Sequence, residues 1–480
     1  MSLIYYAVVY MAKILMIQLQ PYPYAGTAYL CGAARFAGHD FKLHISDNPE
    51  KIYDAIRFEK PDLIGFSCMT GIHIKILSLI KIIRKIHSIP IILGGPHPTF
   101  FPEIINVEGV DIICRGEGEF ALIELLNSIE EKTDYTKINN LWVKDGELIY
   151  KNEMRPLADP LDTIPMIDWS CYEGSIVKLF PAVMIPIRGC PFSCTYCFNE
   201  KYRNLYSHSK KYVRHFSVER AISELKSAID FFSPDTPIIF TSDSFGINLT
   251  WMEDFFKEYG KITNLPFVVL LRPELASENC IEILKKYNCF SVAIGVESGS
   301  ERIRKDLLNR NYSNQNLLEV AERLHRAGLK FRTYNIIGLP TESIEDMFET
   351  IAINISMKTD YPRPSIFSPY PGTKLTEKAI ELGYLPENFS FDTVRQGIHQ
   401  DTLLKIDNKK QIINILYFFQ TFVLFPSTLK FSRFLIRFPP NFLFKLWFMG
   451  LYAVLSMRSE GRNFKNFIRF AWINMKYFMG

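Results

Sequence analysis

The chain has 480 residues, of which 48% are hydrophobic and 22% are charged, and its formal net charge is +4. This length excludes a single small binding module, and the composition is too apolar for a disordered chain and too charged for a polytopic membrane protein. The charge is unevenly distributed, because residues 430–480 contain nine Lys or Arg residues and one acidic residue, Glu460.

The cysteine content indicates the compartment. Nine cysteines in a chain of this length are too few for a disulfide scaffold, and no secretory signal sequence precedes them. We therefore expect a reducing, cytoplasmic environment. Either Met1 or Met11 could be the start of the protein, since the strand-like segment KILMIQLQ follows shortly after Met11.

Residues 13–125 alternate short apolar segments with helical patterns. The apolar segments are KILMIQL, KLHI, DLIGFS, IPIILGG and VDIIC. This alternation predicts βαβ units and a doubly wound, Rossmann-like parallel sheet, which binds ligands at the carboxyl ends of its strands. The segment LWVKDGELIYKN, with its Asp145-Gly146 turn, predicts a closing hairpin. We assign residues 1–155 to this domain.

A second alternating series follows a proline-rich segment. Residues 156–181 contain four prolines and no helical periodicity, which predicts a linker between domains. Six apolar segments then recur: AVMIPI, PIIFTS, FVVLL, SVAIGV, KFRTYNII and SIFSPY. They predict a partial (β/α)6 barrel over residues 182–385, with its active site at the carboxyl ends of the strands.

Three cysteines lie directly after the first barrel strand. Cys190, Cys194 and Cys197 stand in CPFSCTYC, and three thiolates at this spacing fit one iron–sulfur cluster with one iron left open for chemistry. A structural zinc knuckle needs a fourth Cys or His close by. The nearest downstream histidines, His208 and His215, are 11 and 18 residues past Cys197, so the pattern favours the cluster.

With an aromatic residue before the third cysteine, this motif resembles the signature of the radical S-adenosylmethionine superfamily. The resemblance implies a 4Fe-4S cluster that reductively cleaves S-adenosylmethionine to a 5′-deoxyadenosyl radical, and an external electron donor such as flavodoxin or ferredoxin. It also implies contacts to S-adenosylmethionine near the cluster and at successive strand ends. These contacts are Tyr196, Asp243, Arg272, Glu297 in GVESGS, and Gly338 and Pro340 in GLPTE. Each alone could be an ordinary strand-end residue.

The first domain lacks a GxGxxG motif after its first strand, which argues against a dinucleotide. Its segments SCMTG, LGGPHPTFFPE and VDIICRGEGE resemble instead the cobalamin-binding domain of B12-dependent radical S-adenosylmethionine enzymes. This resemblance implies a cobalamin cofactor. The implied contacts to cobalamin are Ser67, Thr70, Gly94, Gly95, His97 and Glu117.

Two of these residues have alternatives. The sequence has no DxHxxG motif, which supplies a histidine ligand to cobalt in some cobalamin proteins. We therefore expect His97 at the nucleotide tail or the inter-domain surface rather than on cobalt. The alternative is a structural histidine. Glu117 could equally stabilise the positive end of the following helix.

The resemblance favours a cobalamin-dependent radical C-methyltransferase that methylates an unactivated carbon through methylcobalamin. One alternative is a radical cyclase, oxidative or rearrangement enzyme of the anaerobic tetrapyrrole cyclase type. The other alternative is a non-catalytic sensor of cobalamin or redox state. We expect a small-molecule or lipid-like substrate.

Residues 386–480 form a predicted helical region in which basic and aromatic residues interleave, as in SRFLIRF, FKLWF and RNFKNFIRFAW. This pattern suits a helical lid or peripheral contact with an anionic membrane, so membrane association would accompany a cytoplasmic location. The abundance of Phe and Leu relative to Lys argues against nucleic acid. Residues 411–429 lack charge but contain polar interruptions, which favours an interfacial or packed helix over a spanning one.

Overall fold

The computed structural model describes residues 11–232, 236–242, 244–394 and 401–461. Within them the chain forms two compact units, one of residues 11–178 with 205–211 and one of residues 179–204 with the chain from 212 onward. Asp243 and residues 462–480, both of which entered the predictions, lie outside the described residues.

The first unit contains one sheet with helices on both faces. Its strands are β1 (Lys13–Gln18), β2 (Asp40–Ile45), β3 (Leu63–Ser67), β4 (Ile91–Gly94), β5 (Ile112–Cys114), β6 (Leu141–Asp145) and β7 (Leu148–Lys151). Its helices are α1 (Ala25–Phe36), α2 (Pro49–Glu59), α3 (His73–Ile83), α4 (Pro96–Phe100) and α5 (Glu119–Glu131). The spatial strand order is β2-β1-β3-β4-β5-β6-β7, parallel through β5 and antiparallel in the closing hairpin. The predicted doubly wound sheet is confirmed.

Side chains of β1 alternate between two hydrophobic cores. Ile14 and Met16 pack into one core and Leu15 and Ile17 into the other, and all four are buried. A strand covered on both faces is apolar at every position, which is why KILMIQL has no polar alternation. The order of the parallel strands changes direction between β1 and β3, where doubly wound sheets leave a crevice for a ligand.

The segment predicted as a linker packs with the first unit. Trp169 and Tyr172 are buried, and the Tyr172 hydroxyl donates a hydrogen bond of 2.6 Å to Gln18 Oε1 at the end of β1. Arg35 of α1 forms an ion pair of 2.6 Å with Asp168. This proline-rich segment therefore packs against helix α1 and the edge strand β2.

The second unit contains six parallel strands and an additional short antiparallel pair. Its strands are β8 (Val183–Met184), β9 (Ile187–Arg188), β10 (Arg214–His215), β11 (Ile238–Phe240), β12 (Phe267–Leu271), β13 (Cys289–Glu297), β14 (Lys330–Ile337) and β15 (Tyr361–Ile366). Its helices are α6 (Asn199–Leu205), α7 (Val218–Phe231), α8 (Leu249–Ile262), α9 (Glu278–Lys286), α10 (Asn314–Ala327), α11 (Ile344–Ser356), α12 (Lys374–Glu381), α13 (Lys409–Leu424), α14 (Ser432–Leu435) and α15 (Phe442–Ser459). The parallel sheet has the order β15-β14-β13-β12-β11-β8, as a partial barrel requires.

Two strands differ from their predicted positions. The first predicted strand is divided into β8 and β9, and β9 pairs with β10 outside the main sheet. Pro186 stands between them and has no N–H to continue the ladder. The sixth strand lies at 361–366 although it was predicted at 365–370, and it contains two prolines. Prolines are tolerated there because β15 is an edge strand.

The helical C-terminal region is confirmed for its described part. Helix α13 packs against α11, β15 and α15, and Ile415, Phe419 and Phe422 are fully buried in this core. Residues 411–429 thus contain a packed helix, one of the predicted alternatives. Among the described helices none is both long and apolar enough to span a membrane.

Candidate active site

The cysteine loop, residues 189–199, leaves β9 and is fixed at several points. Gly189 has φ of +93° and lies so close to the Tyr212 carbonyl that a side chain would collide with it. Arg203 of α6 donates to the Pro191 carbonyl at 2.7 Å and to Ser193 Oγ at 2.8 Å. These contacts, spread along the loop, hold its backbone in one shape.

The sulfurs of Cys194 and Cys197 accept hydrogen bonds. Arg272 donates to Cys194 Sγ at 2.9 Å, and the Asn199 N–H donates to Cys197 Sγ at 3.5 Å. Cys190 and Cys194 are buried, and none of the nine cysteines forms a disulfide. Within the described part of the chain no three Cys, His, Asp or Glu side chains are already grouped around one point. The donor set nevertheless fits an iron–sulfur cluster, whose ligands are cysteine thiolates with N–H groups directed at sulfur.

Arg272, which follows β12, is held from two sides. Its guanidinium forms hydrogen bonds of 2.6 and 3.3 Å with the Glu274 carboxylate, and it stacks on the Phe192 ring at 3.7 Å from the ring centre. Phe192 belongs to the cysteine loop, so Arg272 places a positive charge directly beside the sulfur of Cys194.

At the carboxyl end of β13, Glu297 lies in a buried charged cluster. Arg310 donates to Glu297 Oε1 at 2.8 Å, to the Tyr196 hydroxyl at 2.7 Å and to the Gly295 carbonyl at 3.0 Å. Burial raises the pKa of Tyr196 well above its usual value, and the Glu297 carboxylate raises it further. Burial opposes the charge on Arg310, but Tyr312, Tyr196 and Glu297 outweigh it and raise the pKa of the guanidinium.

The first residue of GVESGS, Gly295, lies against the ion pair formed by Glu297 and Arg310. A Cβ at Gly295 would lie 2.5 Å from Glu297 Oε1 and 3.3 Å from the Arg310 guanidinium, so only glycine leaves room for this ion pair. The pairing of β13 with β14 is irregular between Gly295 and Glu297, and Glu297 has φ of +64°. The irregularity turns the carboxylate toward Arg310 at the strand end.

The GLPTE turn after β14 contains a buried carboxyl group. Glu342 Oε2 accepts the Leu339 N–H at 3.0 Å, while Oε1 is buried without a hydrogen-bond partner. Burial raises the pKa of Glu342 to about 8. Gly338 has φ of +72° and Pro340 is buried, and a Cβ at Gly338 would lie 3.2 Å from Ile412 of α13. The turn therefore also packs against the C-terminal helices.

The structure brings together several of the predicted residues and adds others. Tyr196 and Glu297 meet through Arg310, and Cys194 meets Arg272. Arg310, Arg203 and Glu274 were not predicted, because no motif or spacing in the sequence distinguishes them from other charged residues. Ser244, next to Asp243, donates to the Gly189 carbonyl at 2.9 Å and so supports the start of the cysteine loop.

In the first unit, the ends of β3 and β4 lie side by side. Ser67 pairs with Gly94 at the last position of the two strands. Gly95 has φ of +101°, and a Cβ there would approach the Cys68 carbonyl to 3.0 Å. A Cβ at Gly94 would meet nothing nearer than 3.9 Å. Packing within the unit thus requires glycine at 95 but leaves space at 94.

Thr70 and His97 are joined at the same edge. His97 is fully buried, its Nδ1 lies 2.9 Å from Thr70 Oγ1, and its ring stacks on His73 at 4.2 Å. Burial, with a smaller contribution from the neighbouring His73, lowers the pKa of His97 to about 3, so the ring is neutral near pH 7. The imidazole therefore fixes the orientation of the Thr70 hydroxyl.

The loop after β5 carries Glu117. Its N–H donates to the Tyr206 hydroxyl at 3.0 Å, and its carbonyl accepts from Asn140 at 3.2 Å. Gly116 has φ of +74° and lies against Tyr206, where a side chain would collide. The backbone of this loop is fixed at the end of β5, next to β4, as a ligand site at this edge would require.

Comparison with known proteins supports both units. The model of the radical SAM superfamily matches residues 184–352, and that of the B12 binding domain matches residues 19–126. An uncharacterized methyltransferase of Pyrococcus horikoshii is 29% identical over 75% of this chain and 78% of its own length. The anaerobic magnesium-protoporphyrin IX monomethyl ester cyclase of Rubrivivax gelatinosus is 24% identical over 77% of this chain and 68% of its own length.

A solved structure has the same fold. The cobalamin-dependent S-adenosylmethionine radical enzyme OxsB, with aqua-cobalamin bound, covers 98% of this chain and 80% of its own with a TM-score of 0.69. At 15% sequence identity, this likeness concerns the fold alone.

Proposed function

Because the chain belongs to the radical S-adenosylmethionine enzymes that carry a B12-binding domain, we propose that it transfers a methyl group to an unactivated carbon of a small-molecule or lipid-like substrate. The observation that carries the proposal is the fixed cysteine loop with N–H donors on the sulfurs of Cys194 and Cys197, in a chain that also matches the B12 binding domain. The methyltransferase similarity over three quarters of the chain supports this choice of reaction.

The cysteine loop and its neighbours would serve S-adenosylmethionine and the cluster. When bound, the cluster supplies the electron that cleaves S-adenosylmethionine, and methylcobalamin supplies the methyl group. Cys190, Cys194 and Cys197 would hold the iron atoms. The Glu297 carboxylate, oriented by Arg310, would accept hydrogen bonds from the ribose hydroxyls or the amino group of S-adenosylmethionine.

The other predicted residues of the S-adenosylmethionine site would contact different parts of this cofactor. Tyr196 would contact the nucleoside through its loop backbone while its hydroxyl stays on Arg310. Arg272 would offer positive charge to the S-adenosylmethionine carboxylate, and Gly338 with Pro340 would form the surface for adenine. Asp243 would contact the methionine part.

The first unit would bind cobalamin at the ends of β3, β4 and β5. Ser67 and Thr70 offer hydroxyl groups, and the space beside Gly94 allows close approach of a macrocycle or its nucleotide tail. Gly95 and Glu117 would shape the loops around it. We propose that His97 acts mainly by orienting Thr70, because its ring is fully buried and bonded to that residue.

A radical cyclase is the second candidate, favoured by the 24% identity to the Rubrivivax cyclase. The two reactions differ in whether the methyl carbon of S-adenosylmethionine appears in the product. A sensor would produce neither product nor 5′-deoxyadenosine.

Anaerobic reconstitution with iron, sulfide and cobalamin tests these functions. With methyl-labelled S-adenosylmethionine, a strong reductant and extract fractions, we expect 5′-deoxyadenosine together with label in a substrate fraction. Cys194→Ala should abolish 5′-deoxyadenosine, whereas Cys280→Ala, a buried cysteine outside the loop, should retain it. Product without label would indicate the cyclase, and no 5′-deoxyadenosine from the wild type would contradict both enzymes.

Radical S-adenosylmethionine enzymes act on small molecules. They take electrons from an external reductant, so a partner must supply these electrons. We propose a flavodoxin or ferredoxin for this chain. We also propose that its C-terminal region contacts a membrane peripherally, since large apolar side chains of α15 are exposed.

A further inference from the structure

Helix α15 is apolar on its inner and its outer face. On the inner face, Phe448 is buried in the core formed with α13, and Leu455 is buried as well. On the outer face, Leu443 is 73% exposed and Trp447, four residues on, is 52% exposed. Side chains four residues apart lie on the same side of a helix, so these two belong to one exposed stripe. Among the described residues, none covers this stripe.

Neighbouring residues extend the stripe into a surface. Phe442 and Leu446 of α15 are 69% and 46% exposed, and Phe431 and Phe434, which precede the helix, are 53% and 64% exposed. Trp447 is held in place by a hydrogen bond of 2.8 Å from its indole N–H to Thr421. We call the exposed side chains of residues 425–447 the C-terminal surface.

Cations are interspersed in the C-terminal surface without acids. Lys430, Arg437 and Lys445 are exposed, and residues 425–459 contain no Asp or Glu. Arg433 contributes less, because it pairs with Glu345 at 2.9 Å and lies over the Phe348 ring at 4.2 Å. The C-terminal surface therefore combines exposed aromatic side chains with positive charge.

The sign of this charge selects among possible occupants. Residues 462–480 of the same chain contain four Lys or Arg residues and no acid, so they would be repelled from the surface. A second copy of the surface is cationic as well and would oppose itself. An anionic lipid bilayer is complementary on both counts, because its headgroups attract Lys and Arg while Phe, Leu and Trp enter the boundary with the acyl chains.

We infer that the C-terminal surface binds anionic bilayers, with α15 lying in the plane of the interface and Leu443, Leu446 and Trp447 inserted. The buried inner face of α15 leaves only its outer face for lipid. This inference makes specific the membrane partner of the proposed function, and it would give the enzyme access to a substrate dissolved in the bilayer. Vesicle binding needs no turnover, so its outcome is separate from that of the methyl-transfer assay.

Flotation of the full-length protein with vesicles tests the inference. One set contains phosphatidylcholine alone, and the other contains in addition about one third phosphatidylglycerol. We expect binding to the anionic set that weakens as NaCl rises from about 0.05 M to about 0.5 M. The double variant Leu443→Ser/Trp447→Ser should lose at least about tenfold in binding. The matched control Phe36→Ser/Phe58→Ser, which removes two exposed aromatics of the first unit, should bind like the wild type.

A charge variant completes the test. Lys430→Gln/Arg437→Gln/Lys445→Gln should lose roughly a hundredfold in affinity for anionic vesicles, about fivefold for each cation. Equal binding to both vesicle sets, or unchanged binding of the Leu443/Trp447 variant, would overturn the inference. The inference would also be overturned if the wild type formed oligomers without binding vesicles while the Leu443/Trp447 variant stayed monomeric. Circular dichroism and thermal unfolding of each variant verify that it is folded.

Discussion

Arg272 donates a hydrogen bond of 2.9 Å to the Sγ of Cys194, and Glu274 holds the guanidinium in that position. Positive charge and N–H donors next to a cluster sulfur stabilise the reduced, more negative cluster and raise its reduction potential. Arg272→Met should therefore lower the potential of the reconstituted cluster by about 50 mV, whereas Glu274→Gln should raise it.

Redox titration followed by electron paramagnetic resonance, without S-adenosylmethionine, measures these shifts. Arg326→Met, which removes an exposed arginine of α10, is the control and should leave the potential unchanged. Shifts of the same sign in the Arg272 and Glu274 variants would contradict an electrostatic effect of this pair.

Because Arg310 is the buried partner of Glu297, the stability of the fold should depend strongly on Arg310. Arg310→Met would leave Glu297 and the Tyr196 hydroxyl buried without their donor. Breaking a buried pair from one side costs about 3 kcal/mol or more, so urea unfolding should show a loss of this size. The double variant Arg310→Met/Glu297→Met should recover part of it, because no charge remains unpaired. If the losses of the two single variants simply add, the pair is not coupled in the folded state.

Glu342 predicts a loss of stability toward alkaline pH. Its pKa is about 8 in the folded protein against an ordinary value of 4.5, so the folded carboxyl group binds a proton that the unfolded chain has released between these values. The free energy of unfolding should fall as pH rises from about 4.5 to about 8, by more than about 1.4 kcal/mol, the equivalent of one pKa unit.

Thermal unfolding of the apoprotein at several pH values measures this dependence. Glu342→Gln keeps the shape and removes the proton, so this variant should be less sensitive to pH than the wild type. The control Glu377→Gln on α12 is exposed and should keep the wild-type profile. An unchanged profile for Glu342→Gln would show that another group is responsible.

The adjacent glycines after β4 predict opposite outcomes for the same substitution. Gly95→Ala should destabilise the first unit by about 1–3 kcal/mol, because φ is +101° and the Cys68 carbonyl is 3.0 Å from the new Cβ. Gly94→Ala should leave thermal stability nearly unchanged, since no protein atom lies within 3.9 Å. If cobalamin approaches this position, Gly94→Ala should retain less cobalamin in visible absorbance after desalting. Full retention by a folded Gly94→Ala protein would remove this residue from the site.

Segments with strong periodicity were predictable because their physics is local. Strands β1, β3, β4, β5, β12 and β13 follow from runs of apolar residues, and the closing hairpin follows from its Asp145-Gly146 turn. The sixth barrel strand was misplaced because its prolines at 362 and 364 argue against a strand wherever its position at the sheet edge is unknown. A residue's place at an edge or a centre is a property of the assembled sheet.

The sequence by itself determined the chemistry that the chain can host. The CxxxCxxC spacing on one loop and the series of strand-end motifs depend on short stretches of chain, and short stretches are visible in a sequence. Only the tertiary structure decided which groups act together. Arg310 lies 114 residues from Tyr196, and Arg272 lies 78 residues from Cys194, yet each pair is within hydrogen-bonding distance. Likewise, α15 carries apolar side chains on both faces, and only the tertiary structure shows that Phe448 packs into the core with α13 while Leu443 and Trp447 stay exposed. Contacts between distant residues depend on the whole fold, which is why no local pattern announced them.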